Sequence, residues 1–163
     1  MTHHFAVIDL GSNSARMTIW EIEQEVVKPI KRLKEMVRLS EDMGPDRVLQ
    51  PAAMDRTLKA LQGFKTELNK YADIDLKAVA TAAVRQAKNQ KEFLKRVKNE
   101  AGLIINVIPG TREAEYDFLG VINTLPIQNA LIMDTGGAST ELILVQNRKS
   151  VSYTHLRAHE TLR

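Results

Sequence analysis

Apolar positions along the chain recur with two different periods, and these periods predict the order of strands and helices. Residues 5–10 form a short apolar run that Gly11 ends, which is typical of a buried strand. Residues 15–22 alternate between apolar and polar positions and predict the returning strand of a hairpin. Residues 54–71 carry apolar side chains at intervals of three and four, which predicts the buried face of a helix beginning near Pro51.

The same reasoning predicts the remaining elements and the fold class. Further strands are expected over residues 27–39, 76–81, 103–108, 130–134 and 140–145, and further helices over residues 89–101 and 112–122. Asn89, followed three residues later by Glu92, predicts a capping box at the start of the second helix, which Gly102 ends. The order β-β-β-α-β-α-β-α, followed by β-β, predicts an α/β protein with a mixed sheet flanked by helices.

Two strand–turn–strand segments share one plan and lie about 125 residues apart. Each has an Asp at the end of an apolar strand, then a turn of small residues: Asp9 with Gly11, Ser12, Asn13 and Ser14, and Asp134 with Gly136, Gly137, Ala138, Ser139 and Thr140. Small residues let backbone N–H groups approach an anion, and an Asp at a strand end can hold Mg²⁺ or orient a water. For one such turn, an ordinary β-turn is the better interpretation. The repetition favours two phosphate-binding turns.

Two charged side chains outside these turns are candidates for phosphate chemistry. Arg85 follows a predicted strand and a run of small residues, and a guanidinium suits bidentate phosphate contact. From this segment alone, a surface Arg before a helix is the favoured interpretation. Glu113 falls in the first turn of a predicted helix, where the helix dipole itself favours a carboxylate. The functional alternative is a general base that activates an attacking water.

The composition narrows the classes of function. The length of 163 residues suits one ordinary domain rather than two full ones. The absence of Cys excludes a disulfide scaffold, a Cys-based zinc site and a cysteine nucleophile. No run approaches the ~20 apolar residues of a membrane helix, and the start shows no signal-peptide pattern, so we expect a cytoplasmic protein without a membrane partner.

The charge pattern gives no reason to expect a nucleic-acid partner. The net charge is +3, which is compatible with a polyanionic ligand and also ordinary for a protein surface. The longest basic cluster, Lys28, Lys31, Arg32 and Lys34, alternates with apolar residues and is typical of a strand face. Because it lacks the interleaved aromatic residues of a single-strand nucleic-acid groove, we expect no DNA partner.

The end of the chain has a different character. Residues 151–163 resemble translated sequencing-adapter sequence, and we therefore exclude them from the fold prediction as an artefactual tail. His155 and His159 in this tail are four residues apart, a spacing that does not specify a zinc site without further ligands. We expect residues 1–125 to form a first lobe and residues 126–150 to begin a second lobe that is truncated here.

Four segments of the chain together resemble a known family. Residues 8–14 and 134–141 are similar to its two phosphate loops, with Ala138 where a third Gly is commoner. Residues 80–89 are similar to its Ala-Thr…Arg-x-Ala-x-Asn segment, and residues 108–114 to its Ser-Gly…Glu-Ala segment, with Pro109 at the usual Ser. The family is that of exopolyphosphatases and guanosine pentaphosphate phosphohydrolases, and the resemblance covers about residues 5–146.

This resemblance implies a fold, a substrate class and a set of roles. The fold would be the two-lobed fold of actin, sugar kinases and the Hsp70 ATPase, in which the first lobe is ribonuclease H-like. Phosphate chains would bind between the lobes, and the substrate would be inorganic polyphosphate or guanosine pentaphosphate. The implied roles are Glu113 as general base, Arg85 as phosphate grip, Asp9 and Asp134 as residues that place Mg²⁺, and Gly11–Ser14 and Gly136–Thr140 as the cradle. A homodimer of the intact parent stays open.

Two other functions stay open beside hydrolysis. One is a non-catalytic module that binds polyphosphate or guanosine tetraphosphate, against which the presence of Glu113 argues. The other is an actin-fold kinase that uses ATP, which the Arg85 and Glu113 segments disfavour. The sequence has no Gly-Lys-Ser/Thr phosphate loop of the Walker type. Because the second lobe would be incomplete, we expect this polypeptide itself to have little or no hydrolase activity.

Overall fold

The computed structural model describes residues 2–24, 26–137 and 139–157. The chain divides into two compact units, and the division falls between Val107 and Ile108. Each unit has its own sheet and its own cluster of buried apolar side chains.

The first unit contains a five-stranded mixed sheet with the strand order β3-β2-β1-β4-β5. Its strands are β1 His3–Leu10, β2 Ala15–Glu23, β3 Val26–Glu35, β4 Ile74–Ala80 and β5 Asn106–Val107. The neighbours β1–β2 and β2–β3 are antiparallel, whereas β1–β4 and β4–β5 are parallel. This arrangement confirms the predicted mixed sheet, in which three strands precede the alternation of helix and strand.

The helices of the first unit are α1 Pro51–Leu68, α2 Ala82–Gln86 and α3 Gln90–Arg96, and α3 continues into a π-helical turn, Val97–Ala101. The predicted stripe of α1 is buried at Met54, Leu58, Leu61, Phe64 and Leu68. These side chains share one core with the inward side chains of the sheet, among them Ile8 and Met17. Full burial of each large apolar side chain contributes roughly 1.5–3 kcal/mol, so this stripe fixes α1 on the sheet.

The predicted capping box at Asn89 is wrong. Asn89 is the residue before α3, but its side chain makes no capping hydrogen bond. Its Oδ1 accepts from Leu49 N at 2.9 Å and its Nδ2 donates to Leu49 O at 3.0 Å. The side-chain amide therefore satisfies the backbone N–H and C=O of buried Leu49, which lies 40 residues earlier in the chain. No local sequence pattern predicts this contact.

The second unit consists of one helix and a three-stranded antiparallel sheet. Helix α4 is Gly110–Thr124, and the sheet order is β6-β7-β8, with β6 Ala130–Thr135, β7 Ser139–Gln146 and β8 Lys149–Arg157. Ala114 and Ile122 of α4 are buried in one cluster with Ile132, Ile143 and Val145 of the sheet. Because of this packing, α4 groups with the second unit, whereas the sequence places the end of the first lobe at residue 125.

Part of the predicted tail is a regular strand in the structure. Residues 151–157 continue β8 and pair with β7, so the second sheet has a third strand that the sequence interpretation leaves out. Residues 158–163, with His159, lie outside the described residues. The interpretation of 151–163 as a foreign tail stays a prediction. Among the described parts of the chain, no helix is both long and apolar enough to cross a membrane.

Candidate phosphate-binding site

The first small-residue turn closes the hairpin between β1 and β2. Leu10 pairs with Ala15, and four residues connect these two strand ends. Gly11 N donates to Ser14 O at 3.1 Å across the turn. A Cβ on Gly11 would lie 3.3 Å from Ser14 O, which is closer than ordinary contacts. The tight turn therefore favours a residue without a side chain at this position.

The carbonyl oxygens of this turn bond to the protein itself. Ser12 O accepts from Ser40 N at 3.1 Å, and Asn13 O accepts from Arg38 N at 2.9 Å. Ser14 O is the acceptor for Gly11. Carbonyl oxygens repel anions, and N–H groups attract them. Because three carbonyls and the N–H of Gly11 are held in internal bonds, the N–H groups of residues 12–14 and the hydroxyls of Ser12 and Ser14 are the groups suited to an anion.

The second turn is closed by the same kind of backbone hydrogen bond as the first. Thr135 pairs with Thr140, and Gly136 N donates to Ser139 O at 2.9 Å. Ser139 is buried, whereas Ser14, which accepts the corresponding bond in the first turn, is half-buried, and Gly136 and Gly137 are exposed. Ala138, which the sequence assigns to this turn, lies outside the described residues. The repeat seen in the sequence is thus a repeat of hydrogen bonding.

The two Asp residues sit at the same place in their hairpins but face different partners. Asp9 pairs in register with Arg16, and Asp134 pairs in register with Glu141. Residues directly opposite on antiparallel strands share one face of the sheet, and like charges in such a pair are destabilising. A cation near Asp134 and Glu141 would remove that repulsion. Carboxylate oxygens are the ligands that a hard cation such as Mg²⁺ prefers, so Asp134 and Glu141 are candidate ligands.

Glu141 is a candidate site residue that the sequence reasoning missed. It is 1% exposed, and its Oε1 lies 2.8 Å from Nδ1 of His155. A buried carboxylate needs such a partner because desolvation of an isolated charge is costly. The signal was present in β7, where Ser139, Glu141, Ile143 and Val145 alternate and place a carboxylate on the buried face. Within the described residues, no group of three or more His, Cys, Asp or Glu side chains is arranged to hold a metal.

Arg85 lies in α2, which follows β4 in the first unit. Leu10 and Ala80 end the neighbouring parallel strands β1 and β4, and Thr81 N donates to Leu10 O at 3.2 Å. Arg85 follows one helical turn later, with its N donating to Thr81 O at 2.9 Å. The segment that carries Arg85 therefore begins next to the residue that precedes Gly11.

Glu113 lies in the first turn of α4 in the second unit, as predicted, and is half-buried. Its N donates to Pro109 O at 3.1 Å, so the helix begins one turn before it. Glu115 is exposed, and its Oε2 pairs with Arg112 Nη1 at 2.6 Å. Asp9, Gly11–Ser14 and Arg85 belong to the first unit, whereas Glu113, Asp134 and Gly136–Thr140 belong to the second.

Known proteins resemble this chain along most of its length. The sequence profile of the Ppx/GppA phosphatase family matches residues 18–157. A bifunctional 3-dehydroquinate synthase/phosphatase of Fusobacterium nucleatum is 36% identical over 149 residues, which cover 85% of this chain and 22% of the relative. A putative exopolyphosphatase of Haemophilus influenzae is 35% identical over 140 residues, with 85% and 43% covered. The solved exopolyphosphatase of Cytophaga hutchinsonii has a TM-score of 0.91 at 30% identity, with 96% of this chain and 51% of that chain covered.

These likenesses fix the fold class and the family. The chain spans less than half the length of the two curated relatives and about half of the solved one. Its α/β lobe has the actin-like fold class expected from the sequence. Since the family profile matches well over half of the residues, this chain belongs to the Ppx/GppA phosphatase family.

Proposed function

We propose that the intact protein is a phosphohydrolase that releases orthophosphate from the end of inorganic polyphosphate or of guanosine pentaphosphate. Membership of the Ppx/GppA phosphatase family carries this proposal. A relative named a putative exopolyphosphatase and a solved exopolyphosphatase support it. Because this chain spans about half of such relatives, the activity is assigned to the intact protein.

The two small-residue turns would hold the phosphoryl oxygens of the substrate. The internal bonds of the first turn's carbonyls support this role, because they leave N–H donors for an anion. Arg85 would add a bidentate contact to a phosphate, for which its planar guanidinium is suited. Phosphoryl transfer demands positioning and charge neutralisation more than covalent work, and these groups supply both.

Asp134, with Glu141 opposite it, would hold a divalent cation at the second turn, whereas Asp9, which the resemblance also assigns to Mg²⁺, already has Arg16 opposite it in its hairpin. The facing carboxylates of Asp134 and Glu141 support that assignment, since a cation offsets their repulsion. A bound Mg²⁺ would neutralise charge on the phosphoryl oxygens. The protein's own contribution is to fix the carboxylates on rigid strand ends.

Glu113 would act as the general base. Its carboxylate would accept a proton from water as the water oxygen forms a bond to the terminal phosphorus. The phosphoanhydride bond then breaks, and the shortened chain leaves with its bridging oxygen. A positioned general base contributes about 10²- to 10⁴-fold to such a rate.

The test uses the intact protein, obtained by extending the coding sequence past residue 150. Glu113→Gln should lower kcat for orthophosphate release by about 10²- to 10⁴-fold with little change in KM. Glu115→Gln is the matched control, because Glu115 is exposed and already pairs with Arg112. Unchanged turnover in Glu113→Gln would remove the general-base role.

The 163-residue chain alone should release negligible phosphate. Release at the rate of the intact protein would contradict the assignment of activity to a longer protein. If the intact protein binds polyphosphate and releases none, the non-catalytic binding module becomes the better description.

A further inference from the structure

The loop between β3 and α1 is hydrogen-bonded to the first turn at one end and to the segment after the Arg85 helix at the other. At one end, Arg38 N and Ser40 N donate to Asn13 O and Ser12 O of the first turn, at 2.9 and 3.1 Å. Ser40 Oγ also lies 3.4 Å from Ser12 O. Residues 38–40 therefore support the turn from its carbonyl side.

The other end of the same loop is bonded to the segment that follows Arg85. Lys88 N donates to Arg47 O at 2.8 Å. The Asn89 side chain donates to and accepts from the backbone of Leu49, at 3.0 and 2.9 Å. Gln90 Nε2 donates back to Val84 O at 2.9 Å, so this segment is joined to the helix that carries Arg85.

Side chains hold the loop in one position between these two ends. Val37, Leu39 and Leu49 are each at most 1% exposed and belong to the core of the first unit. Arg56 of α1 donates to Val37 O at 3.2 Å and to Arg38 O at 3.3 Å. Its guanidinium also pairs with Glu41. The loop is thus anchored both to the core and to α1.

The backbone of this loop adopts conformations that are unfavourable in isolation. Arg38, Asp42 and Arg47 have φ values of 45°, 53° and 54°, in the left-handed region that L-residues avoid. Each such residue costs on the order of 1–2 kcal/mol and persists only where its surroundings over-determine it. Backbone strain of this kind concentrates where geometry serves a function.

We propose that residues 37–49 form a brace that sets the first turn and the Arg85 helix in fixed relative positions, and that Asn89 is its positioning residue. The consequence for phosphate binding rests on the proposed function, but the mechanical coupling does not. The side chain of Asn89 bonds to the backbone of Leu49 rather than to the turn. It acts through Leu49 and the brace on Ser12 and Asn13, about 75 residues earlier in the chain.

Backbone hydrogen exchange in the 163-residue chain tests the coupling without any ligand. Asn89→Ala removes both bonds to Leu49 and should lower protection of the Arg38 and Ser40 amides about 5- to 100-fold. The amide of Ile8 in β1 should keep its protection. Asn69→Ala is the matched control, since Asn69 is an exposed residue at the end of α1. Unchanged protection at Arg38 and Ser40 in Asn89→Ala would overturn the brace.

A second variant keeps the test decisive if Asn89→Ala also loosens β1. Asn89→Asp retains the acceptor for Leu49 N and replaces the donor to Leu49 O by a carboxylate oxygen that repels this carbonyl. It should lower protection at Arg38 and Ser40 while Ile8 stays protected. Equal losses at all three amides in both variants would show a purely global role and would refute the brace.

Binding of tripolyphosphate to the same variants separates the brace from the proposed function. At a temperature where all variants are folded, Asn89→Ala should weaken tripolyphosphate binding about tenfold relative to Asn69→Ala, because the turn and Arg85 lose their fixed spacing. If exchange responds and the unmodified chain shows no tripolyphosphate binding, the brace stands and the phosphate-binding proposal fails for this chain. Equal affinity of the two variants, with binding present, would overturn Asn89 as a positioning residue.

Discussion

Arg148, in the turn between β7 and β8, has two opposite effects on stability: its backbone is strained, and its side chain forms hydrogen bonds. Asn147 and Arg148 form a two-residue turn between the paired residues Gln146 and Lys149, and their φ values are 50° and 60°. Two positive φ values define the type I′ turn, for which Asn-Gly is the preferred sequence. Arg148 thus occupies a position where Gly would be less strained. Its guanidinium donates to Ile122 O at 2.6 Å and to Ile127 O at 3.1 Å.

The magnitudes predict which effect dominates. Replacing Arg148 by Gly relieves about 1 kcal/mol of left-handed strain. It also removes two charge-assisted bonds: a partly buried bond to Ile122 O, which contributes about 1.5–3 kcal/mol, and an exposed bond to Ile127 O, which contributes less. Arg148→Gly should therefore destabilise the second unit by about 1–2 kcal/mol. Arg148→Ala loses the same bonds and keeps the strain, so it should be less stable by about 1 kcal/mol more.

Hydrogen exchange of the β7 amides measures this difference in the right part of the molecule. The single tryptophan, Trp20, lies in the first unit, so its fluorescence would report on the wrong sheet. A loss of 1–2 kcal/mol corresponds to roughly 5- to 30-fold faster exchange in β7. Arg148→Lys, which keeps the charge and the strain with a single donor group, should fall between the native chain and Arg148→Ala. Slower β7 exchange in Arg148→Gly than in the native chain would refute the reasoning, because strain relief would then outweigh both bonds.

Two further predictions concern the glycines that begin the hairpin turns and the Arg96–Glu100 pair. Gly11→Ala should lower the free energy of unfolding by about 1 kcal/mol, because the new Cβ would lie 3.3 Å from Ser14 O and lengthen the turn's hydrogen bond. In Gly136→Ala the Cβ would lie 3.5 Å from Ser139 O, an ordinary contact, so the free energy of unfolding should change by less than about 0.5 kcal/mol. Equal shifts in the thermal midpoints of these two variants would contradict the steric argument. Hydrogen bonds from Arg96 lower the pKa of the Glu100 carboxyl. The folded state is therefore stabilised by this pair at pH values above the ordinary Glu pKa of about 4.3, and that stabilisation is lost as pH falls through the lowered pKa. The stability difference between the native chain and Arg96→Met should shrink from pH 7 to pH 3, and a constant difference in thermal melts would disprove the linkage.

The parts of the fold that sequence predicts are those with local periodic signals. The α1 stripe from Met54 to Leu68 repeats for about four turns and is buried throughout, whereas Tyr71, the last residue of the predicted stripe, lies beyond the end of the helix and is half-buried. The two hairpin turns were visible because Gly and Ser at fixed distances from an Asp are a local chemical signal. In both cases, the residues that decide the structure are close together in the chain.

The elements that sequence missed depend on distant partners or are too short for a period. Helix α2 has five residues, fewer than two full turns, so no apolar repeat can announce it. The apolar run 103–108 predicts a full strand, yet only Asn106–Val107 pair with β4, while Leu103 and Ile105 are buried in the core of the unit. The Asn89 side chain binds Leu49, 40 residues away, and no local pattern favours that contact over a capping box.

The candidate cation site shows how a repeat can hide a difference. The spacing from Asp9 to Arg16 is the same as the spacing from Asp134 to Glu141, and both pairs are directly opposite in their hairpins. A guanidinium opposite Asp9 offsets its charge, so a cation there would compete with Arg16. A buried carboxylate opposite Asp134 adds to its charge, and His155 at 2.8 Å from Glu141 is the partner that the described chain supplies. Equal spacings therefore carry different charges: two carboxylates face each other in the second hairpin, whereas a carboxylate and a guanidinium are opposite in the first.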